Sequence, residues 1–180
     1  MYRFKDVSLR KFCFEDIPLK IEWINNAENN QYLHYDLPLE YEKTCKWFES
    51  LKHRSDRIDW TIIYNGRPVG LIGIINIDEK NKKGEDYIVV GDTRYRGKGI
   101  ATKAGLLNMA YAFKEIGLNK LYGYIEAGNM NSVKQCQRRG GQVEGYLRAD
   151  IIRNGKPVDN YVVGYYKDNF VIPEGMIWEE

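Results

Sequence analysis

The sequence predicts a mixed α/β (α+β) domain, and three patterns predict it. Two Asn-Gly pairs, Asn65-Gly66 and Asn154-Gly155, each stand between β-branched or aromatic runs and mark hairpins. Apolar residues recur at helical spacing in several stretches between them. At the centre, Glu85 to Ala101 reads as a strand, a polar turn and a basic, glycine-spaced entry into a helix. The 180 residues make one domain, 1–180, long enough to bury a substantial core.

Taken in order, Val7 to Arg10 alternates as a short strand. Glu15-Asp16-Ile17-Pro18 opens the first helix, with Asp16 as N-cap and Pro18 tolerated in the first turn. Ile17, Ile21 and Ile24 share a face, Trp23 lies beside it, and the helix runs to about Asn25. Asn25 to Pro38 is polar and aromatic with little periodicity and reads as a surface loop. Leu39 to Lys52 carries Tyr41, Cys45, Phe48 and Leu51 as the stripe of a second amphipathic helix. Ile58 to Tyr64 and Val69 to Ile77 form the first hairpin, and Asp78 to Gly84 is a charged turn. Glu85 to Val90 is the central strand, and Gly99 to Ile116 is a helix with Gly117 as its C′ stop. Its apolar face holds Ile100, Ala104, Leu107, Ala110 and Phe113. Leu121 to Glu126 is the next strand, and Asn129-Met130-Asn131-Ser132 opens a helix that ends at Gly140. Gln142 to Asn154 and Lys156 to Tyr166 close the chain as the second hairpin, and the tail after Phe170 carries no assigned role.

The turn after the central strand is built to receive an anion. Gly97 and Gly99 lack a Cβ, so main-chain N–H groups can lie directly against a ligand. Those groups sit at a helix start, where unpaired donors and the dipole favour phosphate, and Arg94, Arg96 and Lys98 add charge. A P-loop needs Gly-x-x-x-x-Gly-Lys-Ser/Thr and a Rossmann turn needs Gly-x-Gly-x-x-Gly; Gly97-Lys98-Gly99 followed by Thr102 satisfies neither. Arg94-x-x-Gly97-x-Gly99 instead resembles the Gln/Arg-x-x-Gly-x-Gly/Ala motif of the GNAT superfamily of N-acetyltransferases, whose loop binds the pyrophosphate of coenzyme A. The likeness extends from about Val7 to Phe170. Glu144-Gly145-Tyr146-Leu147-Arg148 is similar to a strand of the ribosomal-protein and amino-sugar branch.

The resemblance implies a fold and a set of site residues. The fold is a central mixed, mostly antiparallel sheet of about seven strands with about four flanking helices. Two parallel strands splay apart to form the cofactor cleft. It implies acetyl-CoA as co-substrate and no metal. The loop residues Arg94, Arg96, Gly97, Lys98, Gly99, Ile100 and Ala101 would hold the pyrophosphate, and main chain near Val89 and Val90 would pair with the pantetheine arm. Asn129, Asn131 and Ser132 match the family's Asn-x-x-Ser helix start, where an Asn contacts the cofactor or caps the helix.

Acetyl transfer needs a neutral amine, a polarised thioester carbonyl and a proton for the departing thiolate. Glu85 is the first candidate base, directly or through water, and Glu126 the second. Many relatives place a Tyr as general acid four residues after the Ser; here that position is Cys136, and the expected Gly-Phe is Gly140-Gly141. Cys136 is a candidate acid or a buried apolar residue, and Tyr146 is a candidate replacement. Tyr32, His34 and Glu126 are the acceptor-side candidates.

Composition narrows the partners. Hydrophobic residues are 43% and charged residues 29%, which is globular rather than disordered. A formal net charge of +2 argues against a nucleic-acid partner. Cys13, Cys45 and Cys136 are odd in number and lack metal-ligand spacing, which argues against a disulfide frame and a structural zinc. No apolar run reaches the length of a membrane span, so the expectation is a cytoplasmic protein, with homodimerisation left open. The acceptor expected first is the amine of a small molecule, an amino sugar ahead of others, because the aromatic, Asn-rich loop can stack and hydrogen-bond one. The alternatives are a protein N-terminus, a polyamine or aminoglycoside, and a coenzyme-A-binding module without catalysis.

Overall fold

The computed structural model describes residues 2–178, which fold around one nine-stranded sheet. The strands are β1 (Tyr2–Phe4), β2 (Val7–Lys11), β3 (Ile58–Tyr64), β4 (Arg67–Asp78), β5 (Lys83–Val90), β6 (Lys120–Glu126), β7 (Gln142–Arg153), β8 (Lys156–Tyr166) and β9 (Met176–Trp178). Their order is β7-β8-β6-β5-β4-β3-β2-β1-β9. Every neighbouring pair is antiparallel except β5 and β6. Helices α1 (Ile17–Asn25), α2 (Ala27–Asn30), α3 (Tyr41–Ser50), α4 (Ile100–Ala110) and α5 (Met130–Arg138) flank the sheet.

The hairpins fall where the Asn-Gly pairs put them. Asn65 and Gly66 take φ of 47° and 78°, and Asn154 and Gly155 take 50° and 73°. Two successive left-handed residues give the turn whose twist matches its strands. The sheet exceeds the expected seven strands by β1 and β9, which pair with each other at the edge. Each spans three residues, too few for alternation to register in the sequence.

Local chemistry redrew three other boundaries. Asp16 does not cap α1: its carboxylate is buried and accepts from the Cys13 N–H, the Arg10 guanidinium and the Thr61 hydroxyl. It closes a 3-10 turn over Phe14–Asp16 and ties α1 to β3, and Arg10 beside it helps hold its pKa below the usual carboxylate range. The supposed loop after Asn25 contains α2, capped by Asn26, which accepts from the Glu28 N–H. The helix after Gly99 is regular only to Ala110; a π turn over Tyr111–Glu115 follows, and Gly117 at φ 75° ends it.

Alternation along β5 divides the core between the two faces of the sheet. Ile88 and Val90 pack with Leu9, Trp60, Ile62, Ile100 and Leu107 on the α4 side. Tyr87 and Val89 pack with Ile17, Trp23, Ile24 and Leu71 on the side of α1 and α3. A third cluster, with Met109, Phe113, Leu121, Cys136 and Tyr165, continues the α4 side under α5.

Candidate active site

The parallel strands part. β5 and β6 are in register at Lys83 with Lys120, Gly84 with Leu121 and Glu85 with Tyr122, and pairing stops there. Beyond it β5 runs on along β4 to Val90, and β6 runs on along β8 to Glu126. The result is a V-shaped gap between two strands that are each held only from outside.

Alternation identifies the groups that face this gap. The Gly91 N–H donates to the Val69 carbonyl at 2.9 Å, so in an antiparallel ladder Val89 also turns its main chain to β4. Ile88 and Val90 are left with their N–H and carbonyl groups toward the gap. On the opposite edge the Ala127 N–H donates to Asp159 at 2.9 Å, which leaves Tyr124 and Glu126 facing inward. Of the pair anticipated near this point, Val90 therefore offers its amide and Val89 does not.

The gap's wide end is closed by the glycine loop. Asp92 opens a 3-10 turn over Thr93–Tyr95 by accepting from the Arg94 N–H at 3.1 Å. The same carboxylate takes Arg94 Nε at 2.9 Å and Nη2 at 2.7 Å, and this guanidinium lowers the Asp92 pKa. Gly97 and Gly99 hold φ of 77° and 72°, and a Cβ on either would meet nothing within 4 Å. The left-handed backbone demands glycine there, and the space beside it is open. Gly99 is the N-cap of α4 and offers no side-chain oxygen, so the N–H groups of the first turn keep their donors free. Lys98 lies over the Tyr95 ring at 4.9 Å. Arg96 reaches across to Asn29 Oδ1 and, at 3.1 Å, to the Glu28 carbonyl, and stays partly exposed. Asn29 is buried and donates to the Trp23 and Gly91 carbonyls, each at 2.8 Å. The segment between α1 and α3 is thereby riveted to the glycine loop, a link no local pattern signalled.

At the other lip, Asn129 caps α5 by accepting from the Ser132 N–H at 3.2 Å, while Asn131 is exposed. Tyr32, His34 and Glu126 come together here. The Tyr32 hydroxyl donates to the Gly128 carbonyl at 3.3 Å, and His34 Nε2 stands 3.1 Å from Glu126 Oε1. Glu126 is buried and also takes the guanidinium of Arg153 from the tip of the last hairpin. Arg153 in turn donates to the Leu33 carbonyl at 3.3 Å. Arg153 was not among the residues anticipated, because only the hairpin's tertiary course brings it over β6.

The remaining candidates separate. Glu85 sits on the last paired rung, half-buried, and accepts from Asn76 Nδ2 at 2.8 Å. Cys136 is wholly buried in the cluster under α5, and burial raises its thiol pKa. Tyr146 stands on β7, which β8 separates from the gap; its exposed hydroxyl donates to Asp159 at 2.5 Å, and this bond raises its pKa. The three cysteines are free, and no group of metal-ligating side chains occurs among the described residues. Among the same residues no helix is long and apolar enough to cross a membrane.

A splayed parallel pair capped by a glycine-spaced helix start agrees with a family model for the acetyltransferase (GNAT) domain, which matches residues 6–142. The chain belongs to the GNAT acetyltransferase family. Members transfer acetyl from acetyl-CoA to an amine, and the open loop at Gly97 and Gly99 fits that co-substrate. The spermidine N(1)-acetyltransferase of Escherichia coli strain K12 is 27% identical over 151 residues, covering 83% of this chain and 80% of its own. A mouse alpha/beta-tubulin-N-acetyltransferase is 26% identical over 150 residues, covering 74% of this chain and 61% of its own. A Vibrio cholerae spermidine N-acetyltransferase, solved in complex with CoA and spermine, superposes with a TM-score of 0.86 at 20% identity. That alignment covers 93% of this chain and 99% of the other and shares the fold.

Proposed function

We propose that this GNAT enzyme acetylates a primary amine of a polyamine. The observation that carries the acceptor is the 27% identity to a spermidine N(1)-acetyltransferase over four-fifths of both chains. The amino sugar expected first from the loop composition has no such support among these relatives. Protein N-acetylation is the second reading, favoured by the tubulin acetyltransferase relatives.

Acetyl-CoA supplies the acyl group as a thioester. The main-chain donors from Gly97 to Ala101 hold its pyrophosphate at the positive end of α4, with Arg94, Arg96 and Lys98 around them. The Val90 and Ile88 amides hold and polarise the arm in the gap, and Asn129 and Ser132 border the opposite lip. The amine nitrogen attacks the thioester carbon, the C–S bond breaks, CoA leaves as the thiolate and takes its proton from solvent, and Glu85 takes the amine proton. At a rise of about 3.3 Å per residue it stands about 10 Å along β5 from Ile88, so the proton passes through water. Tyr32, His34 and Glu126 wall the acceptor side, with the Glu126 carboxylate held by Arg153 and His34.

The test is thiol release from acetyl-CoA against spermidine, spermine, an amino sugar and a peptide with a free N-terminus. Turnover on spermidine with none on the sugar is the expected result. Turnover confined to the peptide transfers the assignment to the second reading.

A further inference from the structure

The sequence departs from its family at the two positions where relatives carry Tyr and Phe, and the structure reveals what occupies that room. Tyr165, delivered from β8, lays its ring over Gly141: a Cβ there would stand 2.5 Å from the ring and 2.4 Å from Cys136 Sγ. Its hydroxyl accepts from Arg139, the residue that follows the last turn of α5. The Arg139 guanidinium stacks 4.6 Å from the Tyr165 ring centroid and bonds Asp86 Oδ2 at 2.9 Å. Asp86 Oδ1 takes Asn108 Nδ2 of α4 at 2.8 Å, so both carboxylate oxygens are engaged. The Asp86 and Arg139 side chains are each 4% exposed. Gly105 of α4 completes the seat, since a Cβ there would lie 2.3 Å from Arg139 Cδ.

The position of this network matters more than its composition. Asp86 is the first β5 residue beyond the last rung shared with β6. Tyr165 is on β8, and β6 lies between β5 and β8 in the sheet. One planar side chain therefore spans beneath β6 from one flanking strand to the other, at the level where the gap begins. A guanidinium fork fixes distance and angle on both partners, which a single ammonium does not.

We propose that Arg139, clamped between Asp86 and Tyr165, is a positioning residue that fixes where β5 and β6 part. It thereby sets the placement of the Ile88 and Val90 amides. It touches neither substrate, because Asp86 faces the α4 side and Glu85 the acceptor side. The residues form one unit: Cys136 and Gly141 stand where the family's Tyr and Phe would be, Tyr165 covers them, and Arg139 holds Tyr165. The assignment holds for any amine acceptor.

The experiment compares the parent with R139M and with D86L/R139M. R139M strands a buried carboxylate and lowers Tm; the double variant removes both charges and returns Tm to within a few degrees of the parent. In the folded double variant, calorimetric CoA affinity falls about tenfold and kcat with spermidine falls about 10- to 100-fold, while KM for spermidine stays put. A double variant with parental Tm, parental CoA affinity and parental kcat overturns the proposal and makes the network merely structural. If D86L/R139M does not fold, D86N, which keeps the shape and weakens the clamp, is read by the same CoA titration. That titration needs no acceptor, so a wrong acceptor assignment appears separately, as normal CoA binding by the parent without spermidine turnover.

Discussion

Lys20 is the sharpest electrostatic test of this fold. It is 5% exposed, with Nζ 4.3 Å from the Trp47 ring centroid and 5.2 Å from that of Tyr35. The neighbouring carboxylate, Asp59, is already taken by a fork from Arg57 at 2.6 and 2.7 Å and by the Tyr87 hydroxyl at 2.6 Å. Burial pushes the Lys20 pKa down from 10.5 to about 8. Between those two values the unfolded chain holds a proton that the folded chain has released, so stability rises with pH. A displacement of about 2.5 units at about 1.4 kcal/mol each gives a gain of about 3 kcal/mol by pH 10.5. Above pH 10 the sign reverses for Tyr35, whose pKa burial raises to about 12: the unfolded phenol ionises first and stability falls. Urea unfolding of the parent and K20M at pH 7, 8, 9 and 10 isolates the lysine, since both proteins share the tyrosines. The difference between them should move by about 2–3 kcal/mol in the parent's favour from pH 7 to 10. A difference constant to within about 0.5 kcal/mol would mean that this ammonium is solvated and would refute the buried cluster.

Three further outcomes are expected. G99A carries a left-handed backbone with no clash, costing about 1 kcal/mol and lowering Tm by about 2–4 °C for a chain of this size; G99W adds a ring over the α4 donors, and a folded G99W that binds CoA normally would disprove the cradle. E85Q removes the proposed base, so kcat with spermidine should fall about 100-fold with little change in KM, and a parental kcat excludes Glu85. C136A should lose about 1 kcal/mol of stability from the core yet keep its pH–rate profile, whereas loss of the alkaline limb would restore Cys136 as the acid.

Most of the architecture was legible before the structure. Asn-Gly pairs, β-branched runs and periodic stripes each encode conformation in a few neighbouring residues, so both hairpins, the central strand and the helix after Gly99 fell close to where they were read. The glycine loop was legible for the same reason: two glycines two residues apart and a helix start are local. Asp16 misled because a residue suited to an N-cap was recruited by Arg10 and Thr61, and Thr61 is 45 residues away. β1 and β9 were invisible because three residues are too few for alternation to register, and each strand is fixed by its pairing, β1 with β2 and β9 with β1.

By itself the sequence determined the family's scaffold, the glycine loop at the head of α4 and the absence of the usual tyrosine. Only the tertiary structure decided which amides face the gap, that Arg153 covers Glu126, and that Tyr165, held by Arg139, covers Cys136 and Gly141. Asp86 and Arg139 are 53 residues apart, and Arg139 and Tyr165 are 26 apart. Their contact depends on β8 and α5 flanking β6, a consequence of sheet order that no local spacing of residues carries.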